Sequence, residues 1–470
     1  TSSKGYRSFS ALEQVVFNAK VKHQINPKAS IQAQFNYTHS PKAQDAGGLT
    51  LEEALENPSQ ARQRNIDYDT FEKIDQLKMG IRWFQKWSSE LNLDTYAFFS
   101  IRDFYGKLPF ENGGIVDLYR NYYGGGSRLT YSKTTKNISH QLQLGTELAL
   151  QSDQRDRFLN QKGVQGESVF SQQENFNSFG LYVLDELKAE QWLLRSSLRF
   201  DHQTLGADTI AESQAYSVLN PSLGFSYLLS GNRTLFFNIS TSYQTPALSE
   251  LSANPFGAEG FNLTLDPSRA INYEMGWKRL AAKSRIEANL FFIKSSNEIL
   301  PYELAAFPGR SFYRNTGATQ RYGFELAANF SWKAWQLKTS LTQASYRFSG
   351  LGDVSNSLKG KNLPGIPSTQ IFMQLEYSTP SAWQFQLTAE HIGRLFANNQ
   401  NTVAINAYQK VRLQASKGIT LSWGELSFFG GVNNLFDIAY FDNIRLNAFG
   451  SRHYEPAPGR NLFGGLSIAF

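Results

Sequence analysis

The sequence of 470 residues contains no cysteine and no long apolar run. Without cysteine, neither a disulfide framework nor a thiolate metal site is available. No stretch approaches the roughly 18 consecutive apolar residues that a membrane-spanning helix needs. Charge of one sign is also scarce, because the formal net charge is only +6 and the charged residues form no block. This balance excludes an extended nucleic-acid-binding surface.

Aromatic residues are abundant, although the chain as a whole is polar. Aromatic content is 14%, with 36 Phe and 22 Tyr, yet the mean hydropathy is −0.40. A transmembrane β-barrel reconciles the two values, because each strand places one side on lipid and the other on a polar lumen. The length alone would suggest about three soluble domains. The uniform composition instead predicts one domain over residues 1–470.

Apolar and polar residues alternate with a period of two in many segments. Tyr322, Phe324 and Leu326 face one side of such a segment, whereas Arg321 and Glu325 face the other. This pattern is typical of a strand between lipid and water. An arginine on the lipid side near mid-bilayer would cost about 2–4 kcal/mol, which explains why the charges stay on one side. The pattern recurs in residues 141–150, 192–201, 271–278, 370–377 and 462–470.

Short turns alternate with long polar segments. The predicted turns are 26–28, 88–90, 135–137, 188–190, 231–232, 283–284, 331–334, 380–382 and 424–425, and the predicted loops are 41–71, 104–123, 151–173, 203–215, 245–269, 300–318, 350–366, 396–403 and 437–459. This asymmetry is typical of outer-membrane barrels. We predict an all-β, transmembrane antiparallel barrel with about nineteen strands. Because bacterial barrels normally have an even number, we expect a larger barrel whose N-terminal part is missing.

Several motifs resemble those of the TonB-dependent outer-membrane receptors, most of all the ferric-siderophore group. They occur in the family's order and span nearly the whole chain. The motifs are GYR at 5–7, AGGLT at 46–50, SYQTP at 242–246, NYEMG at 272–276, LPGIP at 363–367, VNNLFD at 432–437 and PAPGRN at 456–461.

The resemblance implies a barrel of 22 strands, of which about 19 are present, with a plug domain and a TonB-contacting segment that this chain does not show. It further implies a Gram-negative outer-membrane transporter that imports a ferric siderophore or similar iron chelate, driven by TonB. Expected partners are lipid, lipopolysaccharide and the barrel-assembly machinery, for which Phe470 would serve in sorting and closure. We expect a monomer without a cofactor. Cobalamin, another metal chelate, an oligosaccharide and a passive porin remain alternatives; the absence of a catalytic motif argues against an enzyme.

Two groups of residues are candidates for ligand contact in extracellular loops. Aromatic faces beside guanidinium groups suit a bulky, planar, anionic chelate. The alternative role for such residues is an interfacial girdle or lipopolysaccharide contact. The first group comprises Tyr105, Tyr119, Arg120, Tyr122 and Tyr123, and the second comprises Arg310, Phe312, Tyr313 and Arg314.

Arg62 and Arg64 are a further pair that could contact an anionic ligand, although a solvated loop charge is the commoner role for such residues. The six histidines form no spacing typical of a metal site. We therefore expect no metal ligated by the protein, since a siderophore already holds its iron.

Overall fold

The computed structural model describes residues 1–211, 213–256, 260–307, 310–315, 317–350 and 357–469. The strands are, in chain order, β1 (Ser2–Ser3), β2 (Leu12–Asn26), β3 (Ala29–Gln44), β4 (Phe71–Lys86), β5 (Leu91–Lys107), β6 (Ile115–Thr134), β7 (Ile138–Gln161), β8 (Val164–Ala189), β9 (Trp192–Ala207), β10 (Gln214–Ser230), β11 (Arg233–Gln244), β12 (Ser268–Ala281), β13 (Ser284–Ser296), β14 (Ile299–Glu303), β15 (Ser311–Asn315), β16 (Thr319–Trp332), β17 (Trp335–Phe348), β18 (Thr369–Ser378), β19 (Trp383–Ile392), β20 (Leu395–Phe396), β21 (Ala404–Ile405), β22 (Tyr408–Leu421), β23 (Gly424–Asn433), β24 (Phe441–Ile444), β25 (Tyr454–Pro456) and β26 (Asn461–Ala469). The helices are α1 (Leu51–Glu56), α2 (Gln63–Asp67), α3 (Leu248–Leu251) and a 3-10 turn at Phe449–Ser451.

Nineteen long strands form the wall of the barrel, namely β2 to β13, β16 to β19, β22, β23 and β26. Each pairs antiparallel with its neighbour along the chain. The all-β antiparallel barrel and its strand number are therefore confirmed. Within the described part of the chain, no helix combines the length and apolar character needed to cross a membrane.

The two faces of the wall differ in chemistry, as the alternation predicts. Met79, Phe99 and Tyr123 form one cross-strand row on the outer face, and all three are exposed. On the inner face, Asp94 accepts a hydrogen bond of 2.6 Å from Nε of Arg82 and one of 2.9 Å from Nη2 of Arg128. The sequence pattern thus places apolar side chains toward lipid and paired charges toward the lumen.

The wall has two edges. Among the described residues, β26 pairs only with β23, while β1 pairs only with β2. The loops beside these edges do pair, since Leu49 and Tyr454 form an antiparallel bridge. The closing role proposed for Phe470 falls on a position outside the described residues. The expectation of three further strands and a plug stays a prediction.

The connections are short at one end of the wall and long at the other, and the nine short turns lie close to their predicted positions. At the long-loop end, two expectations are wrong. Residues 104–123 are mostly strand, with a loop only at 108–114, and residues 151–173 belong to β7 and β8, which are joined by 162–163 alone. These strands continue beyond the apolar band with polar residues on both faces. Their sequence there lacks the alternation of apolar and polar residues and therefore resembles that of a loop.

Buried apolar residues gather among the long loops instead of inside the wall. One cluster contains Leu248 and Leu251 of α3 together with Phe261. Another joins Leu49 and Ala54 to Tyr454. Helix α1 begins with a capping box, in which the side chains of Thr50 and Glu53 each accept the other's backbone N–H. The loops are therefore folded structures packed on one another, which gives the long-loop end a defined surface.

Candidate ligand-binding site

The hairpin β14–β15 makes contacts with loops from distant parts of the wall. The rings of Phe307 and Phe110 meet edge to face, with centroids 6.1 Å apart. Nδ2 of Asn447 donates a hydrogen bond of 3.0 Å to the carbonyl oxygen of Pro301. These contacts link the loops after β5, β13 and β23 into one assembly, which we call the roof.

The hairpin β7–β8 carries a row of charges on its inner face. Asp153, Arg155 and Arg157 share this face because side chains alternate along a strand. Arg155 pairs directly with Gln172 across the hairpin, and Asp153 pairs with Glu174. All five residues are buried. The row lies beyond the apolar part of the wall and reaches the roof.

Arg155 and Glu174 form a buried, bidentate ion pair. Nε of Arg155 lies 2.8 Å from Oε1 of Glu174, and Nη2 lies 3.1 Å from Oε2. Oε1 also accepts hydrogen bonds of 3.0 Å from Nε2 of Gln172 and 2.6 Å from Oγ of Ser252. Because Ser252 follows α3, this carboxylate attaches the loop after β11 to the wall.

Arg157 and Arg310 are buried next to this ion pair, but neither forms an ion pair with any described residue. They line a cavity of about 260 Å³ together with Phe170, Phe307 and Asn112. Nε of each arginine is buried without a hydrogen-bond partner. Burial and, secondarily, the charge of Arg155 lower the pKa of Arg310 to about 10. Arg310 therefore remains protonated at neutral pH.

The second predicted group lies on the hairpin β14–β15 or immediately before it, and only Arg310 lines the cavity. Phe312 is fully buried beneath Arg310, whose Cζ lies 4.8 Å from the ring centroid. Tyr313 packs against the cluster around α3. Arg314 is exposed, and its Cζ lies 4.9 Å from the ring centroid of Tyr302. The segment thus lies outside the wall among the long loops, but it forms a β-hairpin instead of an irregular loop, and its four residues do not share one surface.

The first predicted group does not form a loop site, so this expectation is wrong in its placement. Tyr119 and Tyr123 lie within β6, on the outer face, and are 45% and 46% exposed. Tyr105 lies within β5 and donates a hydrogen bond of 3.1 Å to Oε1 of Gln165. For these three tyrosines the wall position favours the alternative role, contact with lipid or lipopolysaccharide.

The other two residues of that group face the lumen. Arg120 makes two hydrogen bonds to the buried Asp153, of 2.8 Å from Nε and 2.6 Å from Nη2. Tyr122 packs against Phe98, with ring centroids 5.0 Å apart. Arg120 is therefore held by a counter-charge and is less available to a ligand than Arg157 or Arg310.

Arg62 and Arg64 lie at the start of α2, in the loop after β3. Nε of Arg64 donates a hydrogen bond of 2.5 Å to the carbonyl oxygen of Pro109, which connects this loop to the roof. Arg62 forms no ion pair within the described ranges. Burial and then the charge of Arg452 lower the pKa of Arg62 to about 10. Although the charge of Glu303 partly offsets this shift, Arg62 is a third arginine at the long-loop end without an ion pair in the described ranges.

Arg157, Phe170 and Glu174 were not among the predicted site residues, because the β7–β8 hairpin that pairs Arg157 with Phe170 was not recognised in a segment predicted to be a loop. The signal was present, since Asp153, Arg155 and Arg157 keep the period of two. The residues between them, however, are also polar, so the segment lacks the apolar face by which strands are recognised. Burial against the roof could be found only from the tertiary structure.

Two further features bear on which ligands the long-loop end could bind. A larger cavity of about 460 Å³ beside α1 is lined mostly by apolar groups such as Leu55, Tyr408 and Tyr440, with no arginine or lysine among its lining residues. In the described ranges, no group of three or more His, Asp or Glu could hold a metal ion. The cavity with Arg157 and Arg310 therefore offers the stronger basis for binding a charged ligand.

Comparison with known structures identifies similar folds. The chain is similar to the ferric citrate transporter FecA in the unliganded form, with 17% identity and a TM-score of 0.83 over 98% of this chain and 71% of that chain. It is similar to the ferric-catecholate import receptor Fiu from E. coli K12, with 16% identity and a TM-score of 0.77 over 99% and 76%. For the copper transporter OprC the values are 15%, 0.77, 100% and 74%.

These identities show a shared fold, whereas the family itself is established by a match to a family model. The model describes the β-barrel of TonB-dependent receptor-like proteins and matches residues 17–435. The match covers most of the wall described above, from β2 to the end of β23. The chain therefore belongs to the TonB-dependent receptor-like β-barrel family.

Proposed function

We propose that the protein is an outer-membrane, TonB-dependent transporter that imports an anionic metal chelate, with a ferric siderophore as the first candidate. This choice of cargo rests on three arginines at the long-loop end, Arg62, Arg157 and Arg310, none of which forms an ion pair with a described residue; Nε of Arg157 and of Arg310 is also buried without a hydrogen-bond partner. Guanidinium groups are well suited to carboxylate and other oxyanion ligands, because they offer planar pairs of donors.

The proposed orientation places the long loops outside the cell and the short turns in the periplasm, as in other outer-membrane barrels. The roof then receives cargo from the medium. The wall and loops described here would bind the chelate, and TonB would supply the energy for its passage. Lipid and lipopolysaccharide would surround the outer face, the barrel-assembly machinery would insert the chain, and the receptor would act as a monomer without catalysis.

The proposal can be tested with the full-length receptor expressed in a Gram-negative host that lacks its own iron receptors. Uptake of radioactive iron is measured with a panel of ferric siderophores, in strains with and without TonB. We expect at least one anionic ferric chelate to enter the cells only when both the receptor and TonB are present. Binding of the same chelate to the purified receptor should be weakened about tenfold by R62Q, through loss of an ionic hydrogen bond.

Two outcomes would contradict the proposal, and a third would widen it. TonB-independent entry of small solutes would indicate a passive porin. TonB-dependent uptake of cobalamin or an oligosaccharide, with none of any ferric chelate, would assign a different cargo. A receptor that binds cupric and ferric chelates equally would extend the cargo class from iron to other metals. The iron-free forms of the siderophores serve as the control for metal-dependent uptake.

A further inference from the structure

The cavity between the hairpins β7–β8 and β14–β15 contains two buried cations that form no ion pair with any residue in the described ranges. Arg157 is 8% exposed and Arg310 is 9% exposed. Nε of each lacks a hydrogen-bond partner, and neither forms an ion pair with a residue that the structure describes. Because burying a charge is unfavourable unless it is paired, this arrangement is suited to an anionic ligand.

The nearest buried carboxylate is already committed to other groups. Both oxygens of Glu174 bind Arg155, at 2.8 and 3.1 Å. Oε1 also accepts the hydrogen bonds from Gln172 and Ser252. Glu174 therefore neutralises Arg155 and holds the loop after α3, and it forms no ion pair with Arg157 or Arg310.

Aromatic rings define the shape of the cavity. Cζ of Arg157 lies 5.7 Å from the ring centroid of Phe170, and Cζ of Arg310 lies 5.5 Å from that of Phe307. Such contacts orient the guanidinium planes. Phe170 and Phe307 also line the cavity, so an aromatic ligand would meet ring surfaces beside the two cations.

The size of the cavity restricts the ligand further. Its volume is about 260 Å³, whereas a cavity of about 150 Å³ is enough to bind benzene. One aromatic ring with a carboxylate and a hydroxyl group would therefore fit. A complete ferric siderophore, which wraps several such groups around the metal, is larger than this space.

We propose that the cavity binds a single aromatic carboxylate arm of the transported chelate, through charge-assisted hydrogen bonds from Arg157 and Arg310, and that it does so independently of the metal. The inference rests on the proposed function, because it takes the cavity to be part of the path of the cargo. It goes beyond that function in predicting that a small, iron-free aromatic acid binds the receptor.

The direct test is titration calorimetry of salicylate into the full-length receptor in detergent micelles. We expect salicylate to bind and R157Q and R310Q each to weaken binding at least tenfold. The matched control is R394Q, because Arg394 is an exposed arginine whose Cζ also lies 4.8 Å from a phenylalanine ring, that of Phe396. R394Q should bind salicylate as the unmodified receptor does.

Two further ligands test the chemistry of the site. Cyclohexanecarboxylate has the charge without the aromatic plane, and inorganic phosphate has charge without an apolar part; both should bind at least tenfold more weakly than salicylate. Equal binding of either ligand would overturn the assignment to an aromatic acid. Absence of salicylate binding, or equal weakening by R394Q, would overturn the site itself.

A folding defect in the arginine variants can be separated from a binding defect. Thermal unfolding of R157Q and R310Q should occur at or above the temperature of the unmodified receptor, because each change removes a buried, unpaired charge. Lower unfolding temperatures would assign both residues a structural role and overturn the proposal. If salicylate fails to bind while a ferric chelate is still imported with TonB, the subsite is wrong and the transport function stands. If salicylate binds and no chelate is imported, the subsite stands and the transport function is wrong.

Discussion

Arg155 and Arg157 lie two residues apart on the same face of the same strand, yet their surroundings differ. Both are buried, with exposures of 5% and 8%. Arg155 has a fully buried carboxylate partner in Glu174, whereas Arg157 has none in the part of the chain that the structure describes. Burial alone therefore does not reveal the role of a charged residue. The partner does, and it separates a structural arginine from one suited to bind a ligand.

The same difference separates Arg199 in the wall from two arginines at the long-loop end. On the inner face of the wall, Arg199 lies between two carboxylates, with Nη2 at 2.9 Å from Oε2 of Glu147 and 2.7 Å from Oδ1 of Asp201. At the long-loop end, Arg310 in the roof and Arg62 in the loop after β3 form no ion pair with a described residue. Arg199 thus resembles Arg155, whereas Arg310 and Arg62 resemble Arg157.

The largest expected change in the free energy of unfolding comes from breaking the ion pair between Arg155 and Glu174. In Glu174→Gln, Arg155 stays buried without a counter-charge, which should lower the free energy of unfolding by about 3–5 kcal/mol. Urea unfolding of the full-length protein in micelles, followed by tryptophan fluorescence, measures this change. The matched control is Glu167→Gln on the same strand, because Glu167 is exposed and has no role in the pair. Equal stabilities of the two variants would show that the Arg155–Glu174 pair contributes nothing.

The opposite change in stability is expected for the uncompensated arginine. Arg157→Gln removes a buried charge without a partner and should raise the free energy of unfolding by about 0.5–2 kcal/mol, as is common when a binding residue is replaced. The same urea experiment measures it. A loss of stability similar to that of Glu174→Gln would mean that Arg157 is held by interactions as strong as those of Arg155, and the comparison between the two residues would fail.

The sequence predicts the wall far better than it predicts this difference. Strands such as β12 and β16 have one apolar and one polar side, so a period of two identifies them, and the turns between them lie close to the predicted positions. The upper parts of β7 and β8 are polar on both sides. Beyond the apolar band the outer residues need not be apolar, so the alternation by which a strand is recognised in the sequence is lost.

The candidate site was predicted only in part for a related reason. Arg310 was recognised from its position beside aromatic residues in a polar segment, and the structure places it in the cavity. Arg157 could not be paired with it, because the two residues are separated by more than a hundred positions and meet only when the roof folds onto the wall. Arg120 and Arg157 both lie in polar segments of the sequence. Only the structure shows that Arg120 is paired with Asp153, whereas Arg157 forms no ion pair with a described residue.

A third arginine tests how much the partner matters when burial is incomplete. Arg452 and Glu53 form a bidentate pair, of 2.5 and 2.9 Å, between loops 399 positions apart, and their side chains are 27% and 34% exposed. A double-mutant cycle of Arg452→Gln and Glu53→Gln should give a coupling energy of about 0.2–1 kcal/mol. A coupling energy near the roughly 3–5 kcal/mol expected for the buried Arg155–Glu174 pair would show that solvent exposure does not weaken the Arg452–Glu53 pair.

The smallest expected effect is the pH dependence of this exposed pair. Hydrogen bonding from Arg452 is the main reason that the pKa of Glu53 lies below its ordinary value of 4.5. A carboxyl whose pKa is lowered by folding stabilises the protein above its unfolded pKa, and this contribution is lost as the pH falls through the folded value. We therefore expect the stability difference between the unmodified receptor and Glu53→Gln to be constant from pH 7 to about pH 5 and to shrink below pH 4.5. Urea unfolding at a series of pH values measures it, and a difference that persists unchanged below pH 4 would show that the stabilisation does not depend on the charge of Glu53.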